Sequence, residues 1–231
     1  MQVIPIKRCE IAVSGENWEW AEAQKAKIQR FWKKVHGHNP ALFNGPIHML
    51  QKGYEIKDGC LIGKSCASDY ASLLYWREQG FPEAGVFNLF GSGVVLSQEG
   101  HVIFGRMAEY TANSGQVYPF GGSIDDGDIA EGQVQMEASI LRELLEETGI
   151  EAAEIQPDEG LLFLEESHRA CFAKLLRLAD ASSAIRARIE LFLELSDRPE
   201  LDGVVVFRRS QFVAHHRMPP YARHLVQHLL P

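Results

Sequence analysis

The run Arg142-Glu-Leu-Leu-Glu-Glu-Thr-Gly-Ile150 constrains this chain most, because apolar residues recur there at helical spacing while carboxylates crowd the helix's C-terminal end. At about 100° per residue, Glu143, Glu146 and Glu147 fall on one face, and Ala138, Leu141, Leu144 and Leu145 on the opposite one. Gly149 is placed to end the helix in a left-handed conformation. Two costs attend the pattern. Glu143 and Glu147 are like charges at i and i+4, about a few tenths of a kcal/mol against an isolated helix. Glu146 and Glu147 also meet the negative end of the macrodipole. A cation reverses both penalties, and three oxygen donors facing one point suit Mg²⁺ or Mn²⁺. An acidic solvated face is the alternative reading of the helix alone.

The rest of the chain divides into two parts. Residues 1–87 read as an alpha plus beta extension: a strand over Val3 to Val13, a helix from about Asn17 to Val35, short strands near Ile47 to Leu50, Tyr54 to Lys57 and Cys60 to Ser65, and a helix capped by Ser68 that runs to about Gln79. From Asn88 onward a hairpin is expected, Gly93 to Ser97 and His101 to Met107 around the turn Gln98-Glu-Gly100. After the acidic helix come strands at Gly160 to Glu165 and Ala170 to Leu178, a helix from Ser182 or Ser183 to Leu195, a strand at Gly203 to Phe207, and a helix after Pro219-Pro220 with Tyr221, Leu225 and His228 at helical spacing.

Upstream of the acidic helix lies Tyr118-Pro-Phe-Gly-Gly122. With these residues in view the chain resembles the Nudix hydrolase family, whose box is a glycine, five residues, a glutamate, seven residues, then Arg-Glu-apolar-x-Glu-Glu-x-Gly-apolar. Residues 142–150 match the second half throughout, and Glu137-Ala138-Ser139 resembles the segment that precedes it. The first half departs: Val134 stands where the box glutamate belongs, and Gly122 to Arg142 spans 20 positions where the standard box has 14. Six extra residues therefore fall in Ser123 to Gly132, an acidic loop with Asp125, Asp126, Asp128 and Glu131. Helix-capping aspartates account for it, with a second ion held by the loop as the alternative.

The resemblance implies an alpha/beta/alpha sandwich with a mixed sheet for residues 88–231, and a small-molecule nucleotide as partner, with a homodimer left open. It also implies Mg²⁺ or Mn²⁺ held chiefly by Glu143 and Glu147, with Glu146 a further ligand or a water-orienting group. Gly121 and Gly122 would let the backbone approach the metal, a Gly121 carbonyl being one candidate ligand, and Arg142 would hold a glutamate through its fork of donors. The general base stays open: Glu165 and Glu166 close an apolar strand and are candidates, but exposed loop charge is the reading such residues favour.

Arg106 follows a strand near the glycines and can grip phosphate, as can Arg208 and Arg209. His215-His216 and His224 with His228 have no carboxylate or cysteine partner fixed nearby, so a solvated face suits them. Trp18, Trp20, Trp32 and Trp76 can stack on a base but read better as core.

Composition narrows the function classes. A formal net charge of −8 opposes a nucleic-acid surface. No apolar run spans a bilayer and no signal peptide opens the chain, so a cytoplasmic protein is expected. Pro40-Ala-Leu-Phe-Asn-Gly45 and Leu61-Ile-Gly-Lys-Ser-Cys-Ala-Ser-Asp-Tyr70 are similar to the N-terminal extension of the Nudix branch that hydrolyses UDP-glucose and UDP-galactose to UMP and a sugar 1-phosphate. Hydrolysis of ADP-ribose or coenzyme A is the enzymatic alternative, and a catalytically silent nucleotide sensor or protein-binding module the alternative of another class.

Overall fold

The N-terminal apolar run forms two strands, not one. β1 (Val3–Ile6) and β2 (Arg8–Asn17) are separated at Lys7, whose backbone N–H donates to the Gly59 carbonyl at 2.7 Å and turns the chain toward a different neighbour. The computed structural model describes residues 2–157 and 160–230. α1 (Glu19–His38) carries Glu19 and Glu22 in its first turn and His36 and His38 in its last, the polarity its macrodipole favours. Next come β3 (Pro46–Gln51), β4 (Glu55–Lys57) and β5 (Cys60–Asp69). α2 (Tyr70–Glu78) is capped by Asp69, which accepts from the Ser72 N–H at 2.8 Å; the expected cap, Ser68, still belongs to the strand.

β6 (Val86–Leu96) and β7 (Val102–Met107) form the expected hairpin, but β6 begins well before it. Then follow β8 (Val117–Tyr118), β9 (Ile129–Ala130), β10 (Gln133–Val134) and α3 (Met136–Thr148). The chain closes with β11 (Leu161–Glu166), β12 (Arg169–Arg177), α4 (Ser182–Leu195), β13 (Leu201–Phe207) and α5 (Pro220–Leu229).

These strands join in one mixed 13-stranded sheet, with the path β1-β11-β12-β6-β3-β5-β2-β10-β9 and β4, β7, β8 and β13 attached beside it. Strands of residues 1–87 pair directly with later ones: β1 with β11, β3 with β6, and β2 with β10. The period of two along β6 assigns the layers. Leu89 and Val95 face a core shared with Ile140 and Leu144 of α3 and Ile185 and Ile189 of α4. Phe90, Val94 and Leu96 face the opposite core, shared with Ala222, Leu225 and Val226 of α5. Val86 has the same parity as Phe90 and packs with Trp18, Met49 and Trp76 beneath α1 and α2. The result is an alpha/beta/alpha sandwich. On α5 the buried stripe is Tyr221, Ala222, Leu225 and Val226, so Tyr221 and Leu225 face inward as expected while His228 points to solvent.

One interruption of the sheet matters for the site. β6 pairs with β3 through Val86–Asn88 and with β7 only at Val95–Leu96, so its edge is open between them. The segment after β8 fills that gap, with bridges Phe90↔Ser123 and Gly93↔Phe120.

Candidate active site

The gap in the sheet brings the glycine pair against α3. Gly121 has φ +150°, and a Cβ there would stand 2.2 Å from the Gly91 carbonyl oxygen, so only glycine fits. Its N–H donates to Glu147 Oε2 at 2.9 Å. At Gly122 a Cβ would lie 2.7 Å from Glu143 Oε1. The two backbone units therefore sit directly on two carboxylates.

α3 is rolled differently from the expectation that its three glutamates share one solvent face. Met136, Ile140, Leu144, Glu147 and Thr148 form its buried stripe, while Ala138 and Leu145 are exposed. Burying Ile140 and Leu144 stabilises the packing by about 1.5–3 kcal/mol each. Glu147 goes in with them because Gly121 supplies a donor. Glu143 is mostly covered and Glu146 is exposed, with 18% and 57% of their side-chain surface open.

The electrostatics follow from this burial. Glu147 is held well above the ordinary carboxylate range by burial first and by Glu143 and Glu200 next, with the Gly121 N–H opposing. Glu143 is pushed up to about 7 by burial, which outweighs the nearby Arg142 charge. Glu200, beside the start of β13, is raised by desolvation and then by Glu146. Glu200 is a fourth carboxylate that sequence spacing gave no reason to join to this helix.

Arg142 does present a fork, but to an aspartate of the inserted segment. Its Nη2 lies 3.1 Å from both oxygens of buried Asp128, its Nε 3.3 Å from Oδ1, and further contacts reach Glu143 Oε1 at 3.0 Å, Glu146 Oε2 at 3.2 Å and Asp125 Oδ2 at 3.9 Å. Burial opposes the guanidinium charge, but Glu143, Asp128 and Glu146 outweigh it and hold it above its usual value. Asp128 is fixed in turn by a capping box with Asp125, and Asp126 Oδ1 lies 3.0 Å from Nε2 of buried His48. The visible signal was the acidic run Asp125-Asp-Gly-Asp128; its partner was not. The inserted segment carries a short hairpin, β9 with β10, which docks on β2 and buries Val134 in the core.

Glu143 and Glu147 suit a hard divalent cation, being crowded oxygen donors whose burial outweighs the compensation from Arg142 and the Gly121 N–H. Glu146 is turned onto Arg142, and among the described residues no three His, Cys, Asp or Glu side chains converge on a metal-holding point. Glu166 is ion-paired with Arg169 at 3.6 Å, Glu165 accepts from the Tyr54 hydroxyl, and Arg106 Nε bonds Asp202 at 2.5 Å. Among the described residues neither Glu166 nor Arg106 bonds to the α3 carboxylates. Trp18 and Trp76 are core residues.

A cavity of about 150 Å³ adjoins the glycines on the face of the sheet covered by α2 and α5. Gly121 and Gly122 line it and contact the α3 carboxylates, so the glycine turn connects the two sides of the sheet.

No protein-family model and no curated protein matches the chain. Solved structures align with it distantly. The MutT protein from Methanosarcina mazei Go1 shares 15% identity over 62% of this chain and 92% of that one, with a TM-score of 0.40. A Nudix hydrolase from M. Smegmatis, RenU, shares 13% over 63% and 87%, with a TM-score of 0.41. A bifunctional NMN adenylyltransferase/ADP ribose pyrophosphatase from Francisella tularensis shares 13% over 68% and 44%, with a TM-score of 0.46. Likenesses this distant decide neither activity nor substrate. Among the described residues no helix is long and apolar enough to cross a membrane.

Proposed function

We propose that this chain is a cytoplasmic, metal-dependent diphosphatase of the Nudix type. It cleaves the diphosphate of a nucleoside diphosphate joined to another moiety, with a UDP-sugar yielding UMP and a sugar 1-phosphate as the preferred class. Residues 88–231 form the hydrolase domain, and residues 1–87 the extension that supplies α2 as an outer wall of the cavity. The observation that carries this reading is the Gly121-Gly122 turn seated on Glu147 and Glu143, with a cavity on its other side.

Glu143 and Glu147 hold Mg²⁺ or Mn²⁺ in this reading, with Glu146 as a further ligand once released from Arg142 and the Gly121 carbonyl as a backbone donor. Such an ion, when bound, polarises a phosphoryl oxygen and lowers the pKa of water. The Gly121 N–H fixes one Glu147 oxygen, and Arg142, anchored by Asp128, orients Glu143. Glu166, whose buried Oε2 faces Arg169 at 3.6 Å without a hydrogen bond among the described residues, is the candidate general base. A Glu166→Gln protein with unchanged turnover removes it from that role. Arg106 grips phosphate only if it leaves Asp202.

A nucleotide-binding module without turnover is the second reading, and the exposure of Glu146 favours it. Incubation with Mg²⁺ and UDP-glucose, ADP-ribose or coenzyme A, followed by mass spectrometry, separates the two. Release of UMP and glucose 1-phosphate is expected, whereas three intact substrates beside bound nucleotide support the silent module.

A further inference from the structure

Two polar atoms beside the cavity lack partners. Asn88 and His168 both line it, and Asn88 Oδ1 and His168 Nε2 are buried without a hydrogen bond among the described residues. Each such atom costs about 1–3 kcal/mol when left unpaired. Two at one cavity therefore mark a place where a ligand supplies the missing partners. Their positions are fixed by the sheet: Asn88 has the β6 parity of Val86 and Phe90, and its backbone N–H donates to the His168 carbonyl at 2.8 Å.

Part of the lining is aromatic or aliphatic, and Arg77, Asn113, Gln116 and Arg169 place polar groups beside it. The His168 ring stacks on Phe81, with centroids 3.3 Å apart and planes 12° from parallel. Phe81 has φ +57°, a left-handed conformation that costs an L-residue about 1–2 kcal/mol. That strain is retained where it holds an aromatic ring at the cavity. Leu74, Phe90 and Tyr221 also line the cavity. Burial and then Arg169 push the His168 pKa down to about 4, so its ring is neutral near pH 7.

We infer that this cavity binds the nucleobase of the substrate, with the Asn88 amide reading the base edge and the phosphates passing the Gly121-Gly122 turn. A side-chain amide presents an acceptor beside two donors, which matches a ring edge carrying N–H next to C=O or ring nitrogen. A sugar would offer hydroxyls to Asn88 but no π-face to the rings of Phe81, Phe90 and Tyr221. Selectivity for a base thus depends on α2 and on the turn between β11 and β12, both remote in sequence from the acidic helix.

The inference rests on the diphosphatase reading only for where the phosphates lie, and binding without metal separates the two. Calorimetry in EDTA with UMP, AMP and ribose 5-phosphate is the test, on wild type and on Asn88→Leu and Asn88→Ser, each checked by its melting curve. UMP or AMP is expected to bind at least about 10-fold more tightly than ribose 5-phosphate, and both substitutions to remove that advantage. Asn88-dependent binding without any diphosphate cleavage keeps the base site and rejects the hydrolase. Cleavage with nucleotide affinity unchanged in both variants, or ribose 5-phosphate binding as well as either nucleotide, overturns the base site.

Discussion

The backbone N–H of Gly121 donates to Glu147 Oε2 across the gap where β3 and β7 leave β6, tying a carboxylate of α3 to the glycine turn. That single bond explains why a glutamate occupies the buried stripe of an amphipathic helix. Without a donor the carboxylate would carry the full desolvation cost of its burial.

Gly121→Ala is expected to destabilise the fold by roughly 2–4 kcal/mol, combining left-handed strain with the overlap on the Gly91 carbonyl. Urea denaturation measures it. A loss below about 0.5 kcal/mol, the size of an ordinary surface change, would show that the turn is not seated as described.

Asp128, and not residue 134, receives the Arg142 fork. Asp128→Ala strands the Arg142 fork and is expected to cost about 2–4 kcal/mol, discounted for the partial exposure of the guanidinium. A glutamate at position 134 would not serve in its place. Val134 is 5% exposed in the core, so Val134→Glu buries a charge and should unfold the protein more readily, as a thermal melt will report. A melting temperature raised by Val134→Glu would mean that position 134 still faces Arg142.

His168 links stability to pH. Burial and then Arg169 depress its pKa from 6.5 to about 4. Between those values the unfolded chain binds a proton that the native ring refuses. The contribution is therefore complete above pH about 6.5 and is lost as pH falls toward about 4. Urea unfolding of wild type should weaken more between about pH 7 and pH 5 than that of His168→Gln. Equal losses in both proteins would place the histidine outside the packed ring cluster.

Where local periodicity governs, the fold was legible: α4 runs from Ser182 to Leu195 and α3 ends at Gly149, as read from apolar spacing and the helix stop. The long reach of β6 was not. Asn88, Gly91, Ser92 and Gly93 break the apolar alternation, and these residues lie along the gap that receives the glycine turn. The roll of α3 was misread for a related reason. Apolar periodicity sends Leu145 inward and Glu147 outward, and the donor that reverses this, Gly121, stands 26 residues away. Arg142 was recognised as a fork, but its partner Asp128 lies in an insertion whose two-residue strands have no sequence signature. The α2 wall of the cavity belongs to a part of the chain with no chemical motif.

The most direct measurement is UDP-glucose turnover with Mg²⁺ by wild type and by Glu147→Gln, beside the melting temperature of each in EDTA. Glutamine keeps the shape and still accepts the Gly121 N–H, but it removes a buried charge crowded by Glu143. Wild type is expected to release UMP, and Glu147→Gln to be slower by at least about 100-fold with an equal or higher melting temperature. UMP release by Glu147→Gln at the wild-type rate would contradict the role of this carboxylate, and with it the seat of the chemistry at the glycine turn.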